Sequence, residues 1–177
     1  MHKERSLFNV KRLMSLTLML LMLSSMLVLT TGVASAKSTT RTLAAASCHD
    51  TKCDGQSPLS TGCVNDARDI YSATSGDLGG GLYETVILRF SSTCVAAWAK
   101  VSFNKSLPSG VYGNAIITRN TDNAQVDCTY GDGIVDPGQT SCFSGMLGDY
   151  GSTTSWAAGM THNSNTAWHQ VANTASY

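Results

Sequence analysis

The segment CHDTKC, Cys48 to Cys53, sets two thiols and an imidazole within six residues, a Cys-His-Cys cluster with enough reach to hold a zinc ion. Zinc needs thiolates, however, and an exported chain with an even number of cysteines normally oxidises them. Cys48, Cys53, Cys63, Cys94, Cys128 and Cys142 therefore read as three disulfides, and His49 as a surface residue of a constrained loop. GDGIVDPGQ carries Asp132 and Asp136, with Asp127 nearby, as oxygen ligands for calcium, but EF-hand spacing and a closing glutamate are absent and turn chemistry is the plainer reading. Serines are abundant beside His49, His162 and His169, yet no G-x-S-x-G elbow positions a nucleophile. Glu84 has no visible carboxylate partner for glycoside hydrolysis. Arg89 and Lys100 could hold a carboxylate or phosphate, although paired strand cations on a solvated face are commoner. In SWAAGMTHNSNTAWHQVANTASY, Trp156 and Trp168 could stack on sugar rings while Asn, Thr and Gln take hydroxyl hydrogen bonds, set against the plainer reading of tryptophan as core; Tyr130 and Tyr150 join them if exposed. No catalytic residue, metal or cofactor is assigned from these patterns.

The N-terminus fixes the compartment in which such chemistry would run. Lys3, Arg5, Lys11 and Arg12 precede or open an apolar run from Leu13 to Val33 that closes on Ala34-Ser35-Ala36, a secretory signal with cleavage expected after Ala36. Ser15, Thr17, Ser24 and Ser25 weaken the rival reading as a membrane anchor. Four basic residues and one acid leave with the signal, so the balanced 12 and 12 become a net (12 − 4) − (12 − 1) = −3. A nucleic-acid partner is disfavoured, and no membrane contact is expected after cleavage. The residues beyond 36 suffice for one ordinary domain, expected as a monomer.

Their composition, rich in Ser, Thr, Asn and Gly between short β-branched runs, is that of β-sheet. Residues 37–47 read as a flexible lead and residues 48–177 as one domain. VNDARDIYSAT, Val64 to Thr74, fits either a short helix or an extended segment. Tyr83 to Phe90 alternates as a strand, SST turns the chain, Cys94 staples the turn, and Ala97 to Phe103 returns as the partner. On this reading Leu88, Phe90, Trp98 and Val101 supply core contacts while Arg89 and Lys100 occupy polar positions of the pleat. Further segments follow at Ala115 to Arg119, Gln125 to Tyr130, Thr140 to Leu147, Ser155 to Thr161 and Ala167 to Ala172, separated by SLPSG, NTDN, GDGIVDPGQ, GDYGST and HNSN. Short, evenly spaced strands mean a small antiparallel β-sandwich or barrel. Cys128 with Cys142 is favoured across a glycine-rich turn, a closure worth about 3 kcal/mol. The other four pair as Cys48 with Cys53 and Cys63 with Cys94, or as Cys48 with Cys63 and Cys53 with Cys94.

LRFSSTC followed by AAWAKV resembles the LRYS-x-x-C and W-A-R-V signature of the bacterial domain-of-unknown-function family DUF2690, and CHDTKCDGQSPLSTGC resembles the family's cysteine pair and its G-x-D-P-x-x-x-G-C element. Downstream, ITRNTDNAQVDCTYGDG and GQTSCFSGM are similar to the continuation in secreted members from Gram-positive bacteria. Ser57 stands where the family usually has aspartate, Ile87 where glutamate precedes Leu-Arg, Phe90 for the usual tyrosine and Lys100 for arginine. The resemblance implies an exported or cell-surface, disulfide-bearing β domain and brings no reaction, substrate or cofactor.

Taken together, the residues favour a non-catalytic extracellular or cell-wall-associated binding module with a cell-surface glycan as ligand, Trp156, Trp168, Arg89 and Lys100 being the contact candidates. One alternative is a secreted hydrolase using His162 or His169. Another is an inhibitor or effector that binds an extracellular protein through the loop from Cys48 to Cys63.

Overall fold

A computed structural model describes residues 45–164 and 166–177. The signal segment and the lead up to residue 44 lie outside the described residues. The ordered domain takes in the end of the lead, since Ser47 N donates to Thr61 O over 2.9 Å. Among the described residues nine strands follow: β1 (Arg68–Thr74), β2 (Glu84–Ser91), β3 (Ala96–Phe103), β4 (Val111–Arg119), β5 (Gln125–Asp127), β6 (Ser141–Phe143), β7 (Leu147–Gly148), β8 (Ser155–Asn163) and β9 (His169–Asn173). The first antiparallel sheet runs β1-β2-β3-β6 with β7 also on β3, and the second runs β5-β4-β8-β9. The expected all-β architecture is present, as a sandwich of two sheets.

Period-two alternation builds the interior. Val86 and Leu88 of β2, Ala97, Ala99 and Val101 of β3, Ala115 and Ile117 of β4 and Ala157 of β8 meet between the sheets. The opposite face of β3 is also apolar. Ala96 and Trp98 pack with Met146 and four cysteines into a second core, roofed by the segment that precedes β1. Trp98 therefore does not share a core with Leu88 and Val101 as the sequence suggested: residues 98 and 101 are three apart and cannot lie on one face of a strand. Phe90 has the parity of Leu88 but is only half-buried, its ring 5.5 Å from that of Tyr177.

The disulfides are Cys48–Cys53, Cys63–Cys94 and Cys128–Cys142. The segment open to two readings is a 3-10 turn at Cys63–Asp66 followed by β1, hence extended. Asp66 ends that turn and clamps the β2–β3 hairpin, accepting from Ser91 Oγ, Ser92 Oγ (2.9 Å) and Thr93 N (2.8 Å). Burial alone would raise its carboxyl, but these bonds outweigh it and hold the group down at about 2. Two expected strands are shorter than the pattern implied. Asp127 caps a 3-10 turn at Cys128–Tyr130 by accepting from Thr129 N, which ends β5. The segment from Thr140 to Leu147 divides into β6 and β7 because Ser144 Oγ replaces the ladder, accepting from Ala99 N over 2.9 Å.

Candidate functional site

β4 and β8 pair along their whole lengths, from Val111 opposite Asn163 to Arg119 opposite Ser155. Ala157 of β8 faces the interior, so Trp156, Met160 and His162, of opposite parity, face outward. Tyr112 lies opposite His162, and the two rings stack with centroids 4.8 Å apart and planes 10° from parallel. Asn163 N donates to Thr166 Oγ1 over 3.0 Å and Thr166 N returns to Asn163 O over 2.9 Å, a local turn that brings the chain back along β8. Trp168 thereby sets its edge on His162, centroids 4.3 Å apart. The result is a row, Tyr112–His162–Trp168, in which Trp168 is 38% exposed. His162 Nδ1 lies 2.8 Å from Asn163 O. A carbonyl only accepts, so Nδ1 is the donor of this contact.

Beside the row, at the end of the sandwich, is a cleft of about 150 Å³. Leu78, Leu82 and Val111 form its apolar wall, and His162, Asn163, Thr166 and His169 its polar rim. Both histidines named as possible hydrolase residues thus line one cleft. Among the described residues no hydroxyl or carboxylate is hydrogen-bonded to either imidazole; the one bond recorded is that of His162 to Asn163 O.

The other candidates are spread over the molecule. Trp156, half-buried, shares the outer face of β8 but lies six residues from His162, about 20 Å along the strand. Between them Asn114, Met160 and Gln170 form a cross-strand row. A shallower hollow on the second sheet, about 240 Å³, is bounded by Ile116, Gln125, Asp127 and Tyr130, which is 61% exposed. Tyr150 is also exposed. Arg89 and Lys100 belong to the outer face of the first sheet, on the far side of the sandwich from Trp168, since Leu88 and Val101 take the inner positions. Arg89 is already engaged, with Nε 2.7 Å from Asp69 Oδ1 and its guanidinium 5.5 Å from the Trp98 ring centre.

Asp127 and Asp132, two of the three possible calcium ligands, serve the scaffold. Asp127 Oδ1 accepts from Thr129 N at 3.0 Å and Asp132 Oδ1 from Phe143 N at 2.7 Å, both closing turns. Glu84 points between the sheets, fully buried, with neither carboxyl oxygen hydrogen-bonded among the described residues. Desolvation alone pushes its carboxyl up to about 9. Arg119 is a hub that no sequence pattern marked: buried at the end of β4, it donates to Asp54, Asp122 and the carbonyl of Gly148. Asp149 nearby is raised to about 6 by burial, opposed by the Ser155 hydroxyl and the charge of Arg119.

Among known proteins, YjfA of Bacillus subtilis (strain 168), described as uncharacterized, is 39% identical over 108 residues, spanning 60% of this chain and 69% of its own length. No solved structure matches the chain. Residues 51–158 match the family described as "Protein of unknown function (DUF2690)". That stretch contains Tyr112 but ends before His162 and Trp168. With the match covering more than half the chain, including five of the six cysteines and both strands of the hairpin clamped by Asp66, this protein belongs to the DUF2690 family.

Proposed function

We propose that this protein is a non-catalytic extracellular binding module that takes a cell-surface glycan on the outer face of its second sheet. The observation that carries the reading is the row Tyr112–His162–Trp168, with an accessible indole beside a cleft whose rim offers Asn163, Thr166 and His169. A sugar presents an apolar ring face and a polar edge of hydroxyls, which an aromatic surface flanked by amide, hydroxyl and imidazole groups complements. The cleft lies below the roughly 300–1,000 Å³ of pockets that engulf a small molecule. It suits one ring of a longer chain lying across the sheet. Three disulfides agree with an oxidising compartment, in line with the signal read at the N-terminus.

Co-sedimentation with insoluble bacterial cell-wall glycan tests this. Wild type is expected to pellet, and Trp168→Ala combined with Tyr112→Ala to stay in the supernatant while keeping the wild-type melting temperature. Equal pelleting of the two would remove the reading. A protein-binding role has one feature in its favour, Leu59, 57% exposed within the disulfide-held segment from Cys48 to Cys63. Loss of capture of an extracellular protein by Leu59→Ser, with glycan sedimentation intact, would support that role.

A further inference from the structure

Four of the six cysteine sulfurs converge on one point. Cys48–Cys53 and Cys63–Cys94 bring together the 3-10 turn at Asp50–Cys53, the turn at Cys63–Asp66 and the β2–β3 hairpin, and their four Sγ atoms all lie within 4.8 Å of one another. Between the two disulfides, Cys48 Sγ is 3.7 Å from Cys63 Sγ. A tetrahedral zinc with Zn–S of about 2.3 Å holds its sulfurs ~3.8 Å apart. That separation is therefore already one edge of a tetrathiolate, and each bonded pair need open by less than ~2 Å to complete it. The surroundings fit a structural site. Cys53, Cys63 and Cys94 are fully buried, Trp98 and Met146 exclude water, and Thr61 Oγ1 lies 3.1 Å from Cys63 Sγ as an outer-shell donor. Cys48, at the edge of the cluster, is 8% exposed and gives a metal access.

We infer that these four cysteines are a redox-exchangeable metal site, two disulfides when oxidised and one zinc tetrathiolate when reduced. Two equivalents of a dithiol reductant break Cys48–Cys53 and Cys63–Cys94, each delivering two electrons and two protons to one S–S bond and leaving as an intramolecular disulfide. Zn²⁺ then displaces four thiol protons. A disulfide oxidant that accepts the four electrons reforms both bonds and expels the ion. In either state the same segments are stapled over Trp98, so the second core survives a change of redox environment. Cys128–Cys142 joins other elements and lies outside this set.

Reduction of the protein with a dithiol, anaerobic removal of the reductant and titration with Co²⁺ test the inference. One cobalt per chain is expected, with thiolate charge-transfer and tetrahedral d–d absorption, a near-UV circular dichroism spectrum still native, displacement by Zn²⁺, and release on adding oxidised glutathione. Cys128→Ser with Cys142→Ser should leave that stoichiometry unchanged. Cys48→Ser should reduce the four-sulfur spectrum to a three-sulfur one. Substoichiometric binding, binding accompanied by loss of the near-UV spectrum, or a spectrum unaltered by Cys48→Ser would each overturn the assignment.

Discussion

The carboxyl of Glu84 on β2 lies directly against Gly159 on β8, across the interior of the sandwich, and occupies the space that any side chain at 159 would need. It is held by packing alone, for neither oxygen has a hydrogen-bond partner among the described residues. A carboxyl in that position is carried as the neutral acid, and this gives the fold a pH dependence opposite to the usual one.

The sign follows from linkage. Burial lifts Glu84 to about 9 in the folded state from the ordinary 4.5 of a solvated glutamate. Its contribution is intact below 4.5 and is lost as pH rises through the window up to about 9, by at most about 1.4 kcal/mol per pH unit. Urea midpoints measured at pH 5, 7 and 9 should fall with rising pH in wild type. Glu84→Gln, which keeps the shape without the titration, should flatten the trend. A parallel decline in both proteins would show that another group is responsible.

The same contact predicts strong coupling between the two positions. Gly159→Ala forces a methyl group into the Glu84 carboxyl and should destabilise by about 1–3 kcal/mol, the range for overpacking. In a Glu84→Ala background the added methyl should cost much less. Additive effects in this double-mutant cycle would mean that the two side chains do not meet.

The tryptophans should separate cleanly in stability. Trp98 is 1% exposed and packs beneath the cysteine cluster, so Trp98→Ala should cost about 3–5 kcal/mol in denaturant unfolding. Trp168→Ala, at the surface, should stay within about 0.5 kcal/mol of wild type. Comparable losses in both would contradict the two-core arrangement.

Val95, between β2 and β3, adopts φ 51°, a left-handed conformation that a β-branched residue tolerates poorly. Val95→Gly is expected to raise stability by about 1 kcal/mol, seen as a higher thermal midpoint, because it removes that strain at a half-buried site. A lower midpoint would mean that packing of the isopropyl group outweighs the backbone.

The sheets were legible where one period governed the chain. Val86, Leu88 and Arg89 gave β2 and its inward face, and the glycine-rich turn between Cys128 and Cys142 pointed to their disulfide. The second core was harder to read because a period-two pattern shows which residues share a face, not what covers it. AAWA, apolar at four successive positions of β3, was the available sign that both faces are covered. Glu84 had the parity of Val86 and Leu88, so its burial was implicit, but its isolation depended on Gly159 from a distant strand. Trp168 and His162 were visible by type. Tyr112 was not, since only the β4–β8 register sets residue 112 opposite residue 162.

Contact between a glycan and the proposed aromatic row on the second sheet would be read by a ¹H–¹⁵N NMR titration with soluble cell-wall glycan fragments, following the indole N–H signals of Trp98, Trp156 and Trp168. Saturable shifts confined to Trp168 and to backbone amides around Tyr112, His162 and Thr166, with Trp98 unmoved, are the predicted result. No shift at Trp168, or saturable shifts mapped instead around Leu59 or Arg89, would contradict it.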